Sequence, residues 1–215
     1  MKLYLNDTSP FSRVVLAAAS LVEDLSIELV WVDPWQSPQN LTRVNPFSII
    51  PALELSDGIP LVESLCICQH LINRFKPVDL NDIDYTDARE VQVLGIAKTL
   101  MEVGFRTVAL GRFTDGDNEM IVRGRNGVGE CLQRLESQLK HELKPVATKP
   151  NLAILYLHAA LDYVAFRHSE AFQLHAGENT AAFLEQSPFR RVLDNITPDE
   201  LASKPTFEQI KKAAL

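Results

Sequence analysis

The sequence of 215 residues predicts an α/β domain followed by an all-α domain. In the first third of the chain, short β-branched and apolar runs alternate with segments whose apolar residues recur at the helical period. From Asp84 onward every apolar pattern has that helical period. Lys76-Pro77-Val78-Asp79 marks the change, because proline and aspartate interrupt regular structure. We therefore expect a first domain over residues 1–76, a linker over 77–84 and an all-helical domain over 85–215.

The first domain is expected to have the order β-α-β-(α)-β-β-α. Its strands are predicted at Lys2–Leu5, Ile27–Val32, Ala52–Leu55 and Pro60–Val62, and its helices at Pro10–Asp24, Gln39–Val44 and Glu63–Phe75. The first half then forms a parallel βαβ unit. The turn residues Ser56-Asp57-Gly58 make the second half an antiparallel hairpin, which a helix closes.

Five helices are predicted for the second domain. They cover Thr86–Arg112, Asn118–His141, Asn151–Arg167, Gly177–Ile196 and Thr206–Ala214. The segment Asn151–Arg167 is apolar on every face, which is typical of a helix buried inside a bundle. Asn151 is a suitable N-cap for it.

Composition argues against several classes of partner. The formal net charge is -7 and there is no basic block, so nucleic acid is not expected to bind. The apolar runs are far shorter than the roughly 20 residues that a membrane span requires. The chain begins directly with a predicted strand, so no signal peptide is expected.

Cysteine and histidine usage indicates a reduced compartment and no metal. The three cysteines, an odd number, are expected to be buried apolar residues of a cytoplasmic protein: Cys66, Cys68 and Cys131. The five histidines lack the spacing of a metal site with a third ligand. They are His70, His141, His158, His168 and His175.

The segment Ser9-Pro10-Phe11, directly after the first strand, has two interpretations. Serine is a good N-cap and proline suits the first helical turn, so Ser9 can simply cap a helix. A helix N-terminus also carries unpaired N–H groups and a partial positive charge, which stabilise a thiolate. A serine hydroxyl at that place can donate a hydrogen bond to the sulfur of a substrate thiol.

A second segment favours the functional interpretation. Pro51 stands directly before a predicted strand, where it fits a tight entry turn and a cis bond. Such a bond would expose the backbone of Ile50 to a peptide-like ligand. Glu63-Ser64 begins the next helix, where a carboxylate and a hydroxyl can cap the helix or bind the charged end of a ligand.

These motifs, in this order over about 75 residues, resemble the glutathione transferase family. They are Ser-Pro-Phe at the first helix, Asn-Pro-x-x-x-x-Pro-Ala-Leu from Asn45, Asp57-Gly58, and Glu63-Ser64. The resemblance implies a thioredoxin-like first domain, a helical second domain and a cytoplasmic homodimer of bacterial type. It implies conjugation of the glutathione thiolate, as co-substrate, to apolar electrophiles, a detoxification reaction.

The resemblance also assigns roles to residues. Ser9 would be the catalytic serine, with Ser12 as the alternative, one turn later in the helix. The glutathione-binding residues would be Ile50, through its backbone, the cis proline Pro51, and Glu63 and Ser64 at the γ-glutamyl end. Candidates for the electrophile pocket are Phe11, Trp35, Phe105 and Arg106.

One departure from the family pattern bears on function. Ile49 stands where relatives often carry a lysine, which removes a cationic contact with the glycyl carboxylate; Gln36 and Arg43 are the candidate substitutes. Two alternative functions follow. The chain can be a non-catalytic relative that binds a partner protein or an apolar ligand, or a glutathione-dependent isomerase or peroxidase.

Overall fold

The computed structural model describes residues 1–116 and 118–214. Its strands are β1 (Lys2–Leu5), β2 (Glu28–Trp31), β3 (Ala52–Glu54) and β4 (Pro60–Val62). Its helices are α1 (Pro10–Ser20), α2 (Gln39–Val44), α3 (Ser64–Phe75), α4 (Ala88–Gly111), α5 (Glu119–Lys140), α6 (Leu152–Arg167), α7 (Ser169–His175), α8 (Glu178–Gln186), α9 (Arg190–Asp194), α10 (Pro198–Leu201) and α11 (Phe207–Ala214), and a 3-10 helix covers Pro34–Gln36. This order confirms the predicted fold class.

The four strands form one mixed sheet in the order β2-β1-β3-β4. β1 and β2 are parallel, whereas β3 runs antiparallel to both β1 and β4. A parallel pair requires a crossover, which α1 supplies, and the antiparallel pair requires only the turn at Gly58. Gly58 has φ 86°, a left-handed conformation that glycine adopts without strain.

Side chains alternate between the two faces of this sheet. Tyr4 and Ala52 lie opposite each other and pack with Leu41 and Val44 of α2. The neighbouring positions face the other way, and three leucines there are fully buried: Leu3, Leu5 and Leu53. On that side α3 contacts β3 and β4, and α1 contacts α3.

Contacts divide the chain into two compact units. The first contains Met1–Asp82 together with the chain from Arg191 onward, and the second contains Ile83–Arg190. The prediction placed all of 85–215 in one helical domain. The segment after Arg191 has its contacts with the first unit. The domain limits drawn from the sequence stay a prediction.

In the second unit, α4 packs against both α5 and α6. α6 is buried over nearly its whole length, as its uniform hydrophobicity predicts. The Asn151 side chain accepts a hydrogen bond from the Ile154 N–H at 3.1 Å, so the predicted N-cap forms. At the contact of α5 with α4, a Cβ on Gly124 would collide with the Thr107 side chain, which explains a glycine in mid-helix.

Several sequence-based boundaries differ from the structure. The predicted helix 177–196 is broken because Ser187 precedes a proline and takes an extended conformation, with ψ 133°. α1 ends at Ser20, before Asp24, whose φ is 51°. α7 and α10 were not foreseen. No helix of the described residues is long and apolar enough to span a membrane.

The cysteines were predicted to be buried, and this is wrong for Cys66. Cys68 is buried, Cys66 is exposed and Cys131 lies between these cases. Cys66 and Cys68 are two positions apart on α3, so they face different directions on the helix. One of them therefore faces solvent. None of the three forms a disulfide within the described part of the chain.

A carboxylate of α5 caps the N-terminus of α8. Glu136 accepts hydrogen bonds from the backbone N–H groups of Gly177 and Asn179 at 2.9 Å, and from both N–H and hydroxyl of Thr180. Burial raises the pKa of this carboxyl, but these hydrogen bonds more than offset it and lower the pKa to about 2. Glu136 thus satisfies N–H groups that have no partner inside α8.

We expect Glu136→Gln to lower the free energy of unfolding by about 1–2 kcal/mol at pH 7, a value reduced for partial exposure of the site. A carboxyl with a depressed folded-state pKa stabilises above its unfolded pKa and loses this effect as pH falls. The difference between the variant and the parent should therefore narrow from pH 4.5 toward pH 2. Urea unfolding measures it, with the exposed Glu130→Gln on the same helix as control. Equal losses in both variants at pH 7 would contradict this role.

Candidate active site

Strand register brings three segments to one edge of the sheet. Ala52 pairs with Tyr4 of β1 on one side and with Val62 of β4 on the other. Continuing both ladders by one residue places Pro51 between Leu5 and Glu63. The start of α1, the Ile50–Pro51 bond and the start of α3 therefore follow three neighbouring strand ends. This is the arrangement that the sequence motifs predict.

Ser9 caps α1 and is held by its neighbours. Its N–H donates to Asn6 Oδ1 at 2.8 Å, and its Oγ accepts from the Ser12 N–H at 3.2 Å. The side chain uses a lone pair in this cap, so its own hydrogen remains to be donated. Ser9 is 8% exposed, at the positive end of an 11-residue helix. This position suits an anionic ligand atom.

Ser12 lies one turn later in α1 and is fully buried. Its hydroxyl has no hydrogen-bond partner among the described residues. A buried hydroxyl without a partner costs free energy. The Ser12 side chain lies entirely in the interior of the unit, whereas Ser9 is 8% exposed.

The Ile50–Pro51 peptide bond is cis. The Ile50 side chain packs toward α2, against the cluster that contains Tyr4 and Ala52. Its backbone N–H and C=O form no hydrogen bond with the described residues. An extended peptide lying along this segment can pair with both groups, as an added strand pairs with a sheet edge.

The loop before the cis bond is fixed by a buried asparagine. Asn45 Nδ2 donates to the Ile49 carbonyl at 2.8 Å, and Asn45 Oδ1 accepts from the Phe47 N–H at 3.2 Å. The Ser48 hydroxyl donates to the Pro34 carbonyl at 3.1 Å. The 3-10 helix Pro34–Gln36 is thereby held beside this loop. Trp35 and Gln36, which it carries, are both exposed.

Glu63 has an unusual backbone at the entrance to α3. Its φ is 72° and its ψ 120°, a combination that costs about 1–3 kcal/mol for a residue other than glycine. Its carboxylate accepts hydrogen bonds from the Leu65 N–H at 2.9 Å and the Ser64 hydroxyl at 3.3 Å. Glu63 thus caps the helix, and the Ser64 hydroxyl binds the capping carboxylate. Strain at such a place often accompanies a binding function.

The predicted electrophile residues are divided between the two units. Phe11, half-buried, lies in the first turn of α1, and Trp35 lies beside the cis-proline loop. Phe105 and Arg106 lie on α4 of the second unit. The exposed Arg106 guanidinium is 3.4 Å from the Glu102 carboxylate, a helix-surface ion pair. Their shared role in a pocket stays a prediction.

Two polar clusters of the first unit were missed from the sequence. Arg43 binds both Glu54 oxygens, at 2.8 and 3.0 Å, and Tyr4 donates to the same carboxylate. The hydrogen bonds from Arg43 hold the pKa of Glu54 below its usual range. Arg43 therefore forms an ion pair with Glu54. No local pattern of α2 predicts this partner, which lies on β3.

The second cluster is centred on Arg13. Its buried guanidinium donates to the carbonyls of Ile196 at 2.8 Å and Leu193 at 3.1 Å. Just beyond the end of α1, Lys211 Nζ donates to the Val22 carbonyl at 2.8 Å. The chain after Arg191 is thus bound to α1. No local sequence pattern predicts a contact over more than 180 residues.

The fold is that of the glutathione transferases. Residues 3–78 match the family model described as the glutathione S-transferase N-terminal domain. Many solved structures match the chain. Eight of them are 18–23% identical to it, a likeness that shows the fold alone. A search of curated protein sequences gives no match.

Three of these structures show the extent of the likeness. A glutathione S-transferase from Methylobacillus flagellatus KT with GSH bound is 23% identical, with a TM-score of 0.72, covering 92% of this chain and 98% of that one. A family member from Pseudomonas fluorescens Pf-5 with bound glutathione is 23% identical, with a TM-score of 0.71, covering 95% and 98%. Gtt2 from Saccharomyces cerevisiae is 18% identical, with a TM-score of 0.66, covering 90% and 100%. Residues 3–78 are thus similar to the N-terminal domain of glutathione S-transferases, and the chain shares the fold of these proteins.

We expect Asn45→Ala to lower the free energy of unfolding by about 1–3 kcal/mol, because two backbone groups of the cis-proline loop lose their partner. Ser48→Ala is the graded control, since it removes one hydrogen bond from a half-buried hydroxyl. Urea unfolding followed by circular dichroism compares the three proteins. A smaller effect for Asn45→Ala than for Ser48→Ala would show that the loop does not depend on Asn45.

Proposed function

We propose that this chain is a glutathione transferase that ionises the thiol of bound glutathione and directs it onto an apolar electrophile. The observation that carries this proposal is the convergence of Ser9, the unpaired Ile50 backbone and the Glu63-Ser64 entrance of α3 at one sheet edge. The glutathione-bound neighbours support it through their shared fold.

The γ-glutamyl end of glutathione would lie at Glu63 and Ser64. Its ammonium group is a natural partner for the Glu63 carboxylate, and its carboxylate for the hydroxyl and N–H groups at the start of α3. The cysteinyl part would pair with the Ile50 backbone beside Pro51. This pairing would bring the sulfur toward the N-terminus of α1.

At that N-terminus two effects would lower the pKa of the bound thiol. The partial positive charge of α1 favours the thiolate, and the Ser9 hydroxyl would donate a hydrogen bond to it. Ser9 needs no general base for this task, because it stabilises a charge and does not attack. Hydrogen-bond donors that are already in place before the reaction usually contribute more to the rate than any other single effect. Ser9 keeps 8% of its surface exposed and Ser12 keeps none, which favours Ser9 for this role.

The second substrate would be apolar. Phe11 and Trp35 of the first unit are its proposed contacts. For Phe105 and Arg106 of α4, contact with the electrophile stays a prediction from the sequence. Glutathione would act as a co-substrate, with no metal in the reaction. The proposed location is the cytoplasm.

We expect Ser9→Ala to lower conjugation of glutathione to an aryl halide about 10- to 100-fold at pH 7, because a hydrogen bond to a charged sulfur is worth about 1.5–3 kcal/mol. The pKa of the bound thiol, measured by thiolate absorbance, should rise together with this loss. Ser12→Ala is the matched control, with a smaller change in rate and no change in the thiol pKa.

The result for Ser9→Ala decides its role. Unchanged turnover in this variant, with Ser12→Ala inactive, would transfer the role to Ser12. A folded parent protein that binds no glutathione would instead support the non-catalytic alternative. Turnover of an isomerase or peroxidase substrate without aryl halide conjugation would support the remaining one.

The chain is also proposed to form a homodimer. The first unit exposes large apolar side chains, among them Phe47 at 75%, Ile59 at 52% and Val62 at 36%. Where such side chains adjoin one another, the apolar patch they form commonly marks an interaction surface. We expect light scattering to give twice the chain mass of 24.1 kDa, and Phe47→Ser to shift the equilibrium toward monomer. A monomeric mass at micromolar concentration would contradict this assembly.

A further inference from the structure

This inference rests on the proposed function and concerns the far end of the thiol ligand. With the γ-glutamyl end at Glu63 and the cysteinyl part at Ile50, the third residue of the peptide extends away from Glu63. On that side lie Ile49, which precedes Ile50, and the 3-10 helix Pro34–Gln36, which Ser48 holds in place. These residues therefore decide which C-terminal end the ligand can carry.

Charged side chains are scarce there. From Asp33 to Leu53 the chain has two charged residues, Asp33 and Arg43. Arg43 is bound by both Glu54 oxygens, so its charge is compensated. Asp33 is an exposed acid whose carboxylate accepts from the Trp35 N–H at 3.0 Å. The local balance is not positive, so it supplies no attraction for a ligand carboxylate.

The other cations of residues 1–82 lie elsewhere. Lys2 is at the far end of β1, 3.2 Å from Glu28. Arg13 donates to the carbonyls of Ile196 and Leu193. Arg74 and Lys76 are at the C-terminal end of α3, about 15–18 Å along the helix from Ser64.

The uncharged amide of Gln36 is exposed there, and the large side chains beside it are apolar. Ile49 is 58% exposed although it is a large aliphatic residue, and Trp35 is 41% exposed. The Ile49 carbonyl is held by Asn45, so the position of the residue is fixed. An aliphatic side chain at this place contacts a neutral group favourably and offers nothing to a carboxylate.

We propose that this site recognises the γ-glutamyl and cysteinyl parts of its thiol ligand without recognising a C-terminal carboxylate. Ile49 is the residue that sets this specificity. The ligand class is γ-glutamylcysteinyl thiols whose third residue ends in either a neutral or a charged group.

The test compares glutathione with glutathione amide, which has nearly the same shape and lacks the C-terminal charge. Isothermal calorimetry on the full chain should give Kd values for the two within about threefold of each other. Ile49→Lys should lower the Kd of glutathione about tenfold or more through a charge-assisted contact, and should leave the Kd of the amide unchanged. Ile49→Met, of similar length and uncharged, should leave the ratio of the two Kd values unchanged.

Added salt gives a second readout. The increase in glutathione affinity caused by Ile49→Lys should become smaller between 50 mM and 500 mM NaCl, because the new contact is partly exposed to solvent. Tenfold tighter binding of glutathione than of the amide by the parent protein would overturn this inference alone. An equal gain for both ligands in Ile49→Lys would remove Ile49 from the role. Binding of neither ligand would overturn the proposed function and this inference with it.

Discussion

The pairing of Ala52 with Tyr4 on one side and Val62 on the other is the constraint on which the site depends. β3 has only three residues, yet it sets the position of the Ile50–Pro51 bond relative to both α1 and α3. A slip of one residue would turn Ala52 away from the α2 face and move Pro51 out of line with the other two segments. The tight packing of Ala52 between Tyr4 and Val44 makes such a slip costly.

Half-buried and buried polar side chains hold the loops in place through hydrogen bonds, as the ladder holds the strands. Asn6 and Asn45 each bind backbone groups that no strand or helix satisfies, and both lie next to residues of the proposed site. Arg13 binds the final segment of the chain in the same way. A buried cation needs several acceptors, and Arg13 finds two carbonyls beyond Arg191. The geometry around Ser9 thus depends on contacts that are both local and very distant in sequence.

Local physical signals explain why so much of the fold could be predicted. α2 and β1 begin and end where the sequence indicated, because apolar periodicity and proline define them locally. The capping roles of Ser9, Glu63 and Asn151 were also readable, since each cap involves residues within three positions. Errors occurred where a neighbouring residue overruled the pattern, as at Ser187 before its proline, or where a helix had two faces of similar polarity, as at Cys66.

Composition and spacing by themselves determined the fold class, the order of elements in the thioredoxin-like unit and the identity of the residues at its sheet edge. Only the tertiary structure decided the positive φ of Glu63, the capture of Arg43 by Glu54, the burial of Ser12 beside the accessible Ser9, and the attachment of the final segment to α1. The physical reason is the separation along the chain over which each interaction acts. Periodicity and capping act over a few residues, whereas the partner of a charge or a buried hydroxyl is chosen by whatever the folded chain places next to it.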